Sequence, residues 1–340
     1  MNTDTPAPWA SLVGALRADS PIAVLEASER QLKEILQREL AQPLDGERIR
    51  SLAAFQQDLG FLLKYKSYAV KAASPLGYSI FLQRPGEGFS FQQHVTHKTE
   101  IFFILDVLPG GFVFLCDFDD WKRIYDRESF LAWMNGAPDS RYERYRFIPQ
   151  PGDVIVIEKL SVVHSVVGCV LAEFATVSTD MVDRLHDQNE GRPIPPEFSR
   201  PFSESRIRNL AWPETSRRVA FESSSWSRTE IPSRRVLGGQ QTVLGNDPRF
   251  SASLFRIDAG RQSDTSTTPD RAACLHVATG SGQLLLGSAD ELRRPSPPSL
   301  AMTAGDLFLI APGAHYAIVN DARQPLVVAR HEISPDVAFV

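Results

Sequence analysis

From about residue 77 onward the chain is cut into short runs that leave little choice of architecture. "YSIFLQRPGEGFSFQQHV", "EIFFILDV", "GFVFLCDF", "DVIVIEKL", "SVVHSVVG" and "LAEFATVS" are rich in aromatic and β-branched residues, and Pro-Gly, Pro-Gly-Gly and Pro-Gly-Asp punctuate them. Such runs are too short for packed helices, and their close spacing predicts an antiparallel sandwich or barrel. One insert breaks the pattern. "DDWKRIYDRESFLAWMNG" (119–136) has helical spacing through Ile124, Phe130, Leu131 and Met134, and ends on Gly136.

The first seventy residues differ. They are rich in Ala, Leu, Glu, Gln and Arg, with apolar residues three and four apart at Leu25, Leu32, Ile35 and Leu36, then at Leu52, Phe55, Leu59 and Leu62. This predicts an N-terminal helical segment over 1–70, of two or three helices, with Ser20 as a cap and Pro21 at the first helical position. Residues 186–216 carry five prolines and few apolar runs, which predicts a linker or surface arm. A second β-rich block follows. "FSASLFRIDAG", "ACLHVATGSGQLLLG", "SLAMTAGDLFLIAPGAHYAIVN" and "PLVVARHEI" keep a similar spacing. Two blocks of similar length, each ending in a Gly-Asp turn, an apolar strand and a histidine, indicate an internal duplication. The expected domains are a first barrel over 71–185 and a second over 217–340.

The 340 residues are 43% hydrophobic with a net charge of −5, which argues against a nucleic-acid partner needing a positive stripe. The arginines at 217–218 and 234–235 read as solvated cations near acids. Cys116, Cys169 and Cys274 stand far apart among apolar residues and are expected to be buried structural thiols. No apolar stretch is long enough to span a bilayer and no leader pattern opens the chain, so the expected location is cytoplasmic, with no membrane partner.

The chemistry concentrates in "QQHVTHKTE" (92–100) and in "PQPGDVIVIEKLSVVH", which ends at His164. These residues resemble the two motifs of the cupin superfamily. One is His-x-His, a few residues, then Glu; the other is a Gly-Asp turn, an apolar strand, a Pro/Gly turn and a His on the next strand. The resemblance implies two double-stranded β-helix barrels, a bicupin, and a divalent transition metal (Zn, Fe, Mn or Ni) held by His94, His97, Glu100 and His164. Imidazoles and a carboxylate inside a barrel suit such ions and leave positions open for substrate. The spacing departs from the motif. His94 and His97 are three apart, on opposite faces of a regular strand, and Thr96 occupies the second His position. A bulge or a turn through His97-Lys98-Thr99 would restore convergence. The alternative is a set of strand-end polar residues around an empty pocket, or a role for His94 and His164 alone. In the second block, Ser, Thr and Asp stand where histidines would, so that barrel is expected to be metal-free. His276 and His315 then serve as satisfied or pocket-lining residues.

The stretch "LAEFATVSTDMVDRLHDQNEGR" (171–192) is similar to the tail of mannose-6-phosphate isomerase-type cupins, and the His97-Lys98 pair is similar to one beside their metal. That similarity implies a metal-dependent, isomerase-like enzyme for a small sugar- or hydroxy-acid-like substrate. Glu173 and Lys98 are its candidates for proton transfer, and Arg184 and Gln92 its candidates for substrate binding. Arg184 reads equally well as part of a surface ion-pair cluster with Asp180, Asp183 and Asp187. Two other readings stay open. One is a non-haem Fe(II) oxygenase using the same cage, with Phe89, Phe91, Phe102 and Phe103 suiting an apolar substrate. The other is a small-molecule binder without catalysis. Oligomeric state stays open too, although a helical arm on such a barrel often serves a homodimer.

Overall fold

The computed structural model describes residues 62–66, 69–73, 77–94, 98–158, 161–176, 181–183, 206–222, 225–246, 248–267, 270–310 and 312–334. The first half contains β1 (Leu62–Lys66), β2 (Ala69–Ala73), β3 (Tyr78–Gln83), β4 (Gln92–His94), β5 (Glu100–Asp117), β6 (Arg146–Phe147), β7 (Asp153–Ile157), β8 (Val162–Ala175) and β9 (Met181–Asp183). Helices α1 (Phe118–Ile124), α2 (Arg127–Met134) and α3 (Ser140–Glu143) stand between β5 and β6. One side of the barrel pairs β3 with the second half of β8, that with the first half of β5, and that with β7. The other side pairs β4 with the first half of β8, that with the second half of β5, and that with β6. Two four-stranded layers in this order make a jelly-roll barrel, the double-stranded β-helix.

The Pro-Gly-Gly and Val-Gly-Cys punctuation that reads as turns is in fact where single long strands bend from one layer into the other. In β5 the register with β8 slips between Val107 and Phe112. Gly110 and Gly168 sit at this corner with φ of 79° and 62°. A Cβ on Gly111 would stand 2.6 Å from the Gly168 carbonyl oxygen, so only glycine lets the two chains pass. The insert folds as three short helices over the outer face of the second layer. There Phe114, Trp121, Phe130, Trp133, Tyr142 and Tyr145 form a separate aromatic core. Its polar tips are satisfied, Tyr142 by the Ile124 carbonyl at 2.9 Å and Trp133 by Glu143 at 2.8 Å.

The chain continues through β10 (Arg217–Glu222) and β11 (Ser225–Glu230), then β12 (Arg234–Val236), β13 (Gly239–Asn246) and β14 (Phe250–Ile257). After these come β15 (Arg261–Gln262), β16 (Ser266–Thr267), β17 (Ala272–Thr279), β18 (Ser281–Gly287), α4 (Ala289–Leu292), β19 (Ser299–Thr303), β20 (Leu307–Ile310), β21 (His315–Asn320) and β22 (Leu326–Ile333). One layer runs β14-β22-β17-β20, the other β15-β21-β18-β19. This is the order of the first barrel, and again two strands precede its first strand as an antiparallel extension. Each barrel has its own interior core. A third core joins them, with Tyr78, Ile101, Phe103 and Phe174 of the first barrel against Phe250, Leu254, Cys274 and Ile333 of the second.

Three boundaries differ from the sequence expectation. Residues 62–66, assigned to the helical segment, form β1 instead, while 1–61 lie outside the described residues. The C-terminal part of the expected linker is packed: Ile207 is buried, and Leu210 and Trp212 lie against the core between the barrels. β10 runs parallel to β7 (Arg217↔Asp153), so 217–230 extend the first barrel's sheet and the second barrel's strands begin at Arg234. Asp153 of the Gly-Asp turn accounts for this. Its buried carboxylate accepts from Arg228 Nε at 3.0 Å and lies 3.3 Å from Arg217 Nε, tying β10 and β11 to β7. A buried carboxylate needs such partners.

Candidate metal centre

Inside the first barrel, the ligand atoms of His94, Glu100 and His164 all lie within 4.8 Å of one another, and all three residues are buried. Strand register explains the convergence. His94 ends β4, Glu100 opens β5, and His164 lies on β8, opposite both Gln92 of β4 and Leu115 of β5. Glu100 Oε2 is 2.9 Å from His94 Nε2 and 3.2 Å from His164 Nε2. His97 and Arg184 lie outside the described residues, so the structure places three of the four expected ligands and leaves the substrate role of Arg184 untouched. Gln92 faces the same spot, its amide nitrogen 3.1 Å from His164 Nε2.

Lys98 reaches Glu100 directly and stands 3.7 Å from Glu173 Oε1, so the two residues expected to move protons border the same centre. Burial opposes the Lys98 ammonium, but Glu100 and Glu173 outweigh it and hold its pKa above the ordinary lysine value. Burial pushes the Glu100 carboxyl up, yet the Lys98 charge and hydrogen bonds with His164 and His94 hold it well below the usual carboxylate range. Burial pulls His164 below the ordinary histidine value despite the attraction of Glu100. Glu100 is therefore anionic and His164 neutral near pH 7, the states in which both bind metal.

These residues fit a divalent transition metal. Two imidazole Nε2 atoms and one carboxylate oxygen converging in a buried spot are the donor set such an ion takes, and the Val162 carbonyl, 3.3 Å from His164 Nδ1, orients that ring. Among the described residues this is the one such group of His, Cys, Asp and Glu. In the second barrel Ala273 stands opposite Ile310, where Glu100 stands opposite Ile157 in the first, and His315 faces Thr267. His276 is in neither barrel's interior. It lies between the barrels, with Tyr78 Oη 2.7 Å from its Nδ1, while its buried Nε2 makes no hydrogen bond among the described residues.

The sequence gives no sign of Val162, whose carbonyl meets His164 Nδ1, or of Thr176, whose Oγ1 and backbone N–H bind the backbone of Thr99. Nor does it point to Arg249, from the second barrel, whose Nη2 donates to Thr99 Oγ1 at 2.8 Å.

No family model and no curated protein sequence matches the chain. Solved structures do. A variant of Bacillus subtilis oxalate decarboxylase is 11% identical with a TM-score of 0.47, covering 81% of this chain and 77% of its own. The formate complex of Lactobacillus farciminis oxalate decarboxylase is 13% identical with a TM-score of 0.44, covering 81% and 84%. The cupin domain of Schizosaccharomyces pombe Cnp3 is 10% identical with a TM-score of 0.27, covering 36% and 89%. Among the described residues, no helix is long and apolar enough to cross a membrane.

Proposed function

We propose that this protein is a metal-dependent enzyme that moves a proton on a small sugar- or hydroxy-acid-like substrate, an isomerase-like activity sited in the first barrel. The observation that carries this reading is the meeting of His94, Glu100 and His164 with a half-buried Lys98 and a buried Glu173 beside them. A divalent transition metal bound there supplies Lewis acidity toward a substrate carbonyl or hydroxyl oxygen. His94, Glu100 and His164 hold it. Glu173, on the layer that also carries Glu100, is the carboxylate that takes a proton from carbon and returns it. Lys98 stays an ammonium between the two carboxylates and presents its charge to the substrate. Gln92 offers its amide to a substrate hydroxyl. A cavity of ≈ 280 Å³ lies alongside, lined by Leu115, Ile157, Val162, Arg218 and Phe221 among others. Leu115 and Ile157 are the register partners of His164 and Glu100, and none of the metal-binding or proton-transfer residues lines the cavity itself.

Of the aromatic residues that would suit an oxygenase with an apolar substrate, Phe102 stands beside the site, its ring 6.2 Å from that of His164. Phe89 lies 5.7 Å beyond it, while the other two point elsewhere. Phe89 and Phe102 fill the barrel interior, Phe91 packs under the helical insert, and Phe103 faces the second barrel.

The test is metal analysis of protein purified without added metal or chelator, beside His164→Ala, followed by anaerobic assays on aldose, ketose and hydroxy-acid substrates. Metal in the wild type, its loss in the variant, and turnover without O₂ are the expected results. Full metal content in the variant would overturn the site. Turnover that consumes O₂ would replace the isomerase reading with the oxygenase, and ligand stabilisation without turnover would leave a binder.

A further inference from the structure

The second barrel touches the first at the residues that flank Glu100. Thr99, one residue before it, accepts a hydrogen bond from Arg249 Nη2 at 2.8 Å. Ala175, opposite Glu100 across β8, has its carbonyl 3.2 Å from His331 Nε2. Ile101, one residue after Glu100, packs its Cδ1 so closely on Gly245 that a Cβ there would overlap it. These three contacts come from different parts of the second barrel, and they meet around one carboxylate.

Glu100 needs such support. It is the first residue of β5, paired with Ile157 and Ala175, and the β5 ladder does not extend to the residue before it. What precedes it is fastened to the end of β8: Thr99 N donates to Thr176 Oγ1 at 3.0 Å, and Thr176 N donates to the Thr99 carbonyl at 3.0 Å. Arg249 closes that arrangement from the other barrel. Its own carbonyl accepts from Ser334 N at 2.9 Å at the end of β22, so the donor is anchored at its backbone. The second barrel has Ala273 at the position equivalent to Glu100.

We propose that the second barrel positions the metal centre of the first: Arg249, with His331 and Gly245, fixes the start of β5 and so the reach of the Glu100 carboxylate. The inference rests on the reading of His94, Glu100 and His164 as metal ligands. Arg249 is a positioning residue, since it touches neither the ligands nor the cavity. Ligand geometry must hold within about 0.5 Å to keep affinity, and outer partners of a metal site are commonly worth about 10–100-fold in binding.

The experiment is a titration of the full chain, stripped by chelator, with Co²⁺. It reads dissociation constant and visible absorption for wild type, Arg249→Met, Arg249→Lys, Thr99→Val and the Arg249→Met/Thr99→Val pair. Arg249→Met is expected to weaken Co²⁺ binding about tenfold and to alter the absorption bands, at the low end for an outer partner. Lysine should recover part of the loss, and the pair should be no weaker than either single variant, because both remove one interaction. Thermal unfolding of the metal-free proteins separates positioning from stability. Wild-type affinity and spectrum in Arg249→Met, with only a lowered midpoint, would overturn the proposal. If Arg249→Met does not fold, wild-type binding by Thr99→Val overturns it equally. Wild-type protein that binds no Co²⁺, or His164→Ala that binds as well as wild type, would overturn the metal centre itself, a distinct result.

Discussion

Replacing His276 with phenylalanine should exchange neutral-pH stability for acid resistance. His276 is fully buried between the barrels, and burial, with a smaller contribution from Arg208, lowers its pKa to about 3. In the unfolded chain it returns to about 6.5, so below that pH the unfolded state binds the extra proton. Stability from the neutral ring is complete above pH 6.5 and is lost as pH falls from 6.5 toward 3. The full difference is about 5 kcal/mol, and roughly 3 kcal/mol of it is gone by pH 4.5. Phenylalanine has no proton to take up, but it removes the acceptor of the 2.7 Å hydrogen bond from Tyr78. Losing a buried partner costs about 1–3 kcal/mol at any pH. The variant should therefore be less stable at pH 7.5 and equal or more stable at pH 4.5. Urea unfolding of chelated protein at the two pH values, followed by tryptophan fluorescence, measures this. Trp212, with its ring 5.5 Å from His276, reports from the spot. Wild type and variant losing the same stability between pH 7.5 and 4.5 would refute the reasoning.

Other outcomes follow from the same geometry. Glu173→Gln should keep the metal content while turnover falls about 10²–10⁴-fold, the usual worth of a general base; loss of metal would make Glu173 a ligand instead. Native protein should resist thiol reagents and react only on unfolding, because all three cysteines are buried and burial pushes the Cys116 and Cys169 thiols up to about 12. Gly88→Ala should cost about 1–3 kcal/mol in a denaturant titration, since the added Cβ meets the backbone of Val166 and Val167 as well as the Val167 side chain. An unchanged unfolding midpoint would show that β8 yields there.

Period and punctuation carried most of the architecture. Alternating apolar residues and the two Gly-Asp turns announced two barrels, and the spacing of Ile124, Phe130 and Met134 announced the insert. Misplaced boundaries had a common cause. Glycine and proline mark a change of direction, but they do not say whether a strand ends or bends into a second sheet, as at Gly110 and Gly168. The stretch before Pro213 likewise looked like a linker because isolated Ile207, Leu210 and Trp212 show no period; burial between two sheets requires none. At the centre, His94, Glu100 and His164 were visible through motif order, as was the lysine beside them. Contacts such as Arg249 with Thr99 span 150 positions, and no local pattern encodes them.

The continuity of β5 and β8 has a mechanical outcome. Either face of the barrel could peel away alone only if these strands were cut at the corner, and they are not. His164 and Glu173 sit on the two arms of one bent strand, and Glu100 begins the other. A load that parts one layer is therefore passed to the other along covalent backbone. Slow-exchanging amides in both arms should open together, in one cooperative unit. An ion seated across those strands would act as a rivet at the point where that unit would first give way.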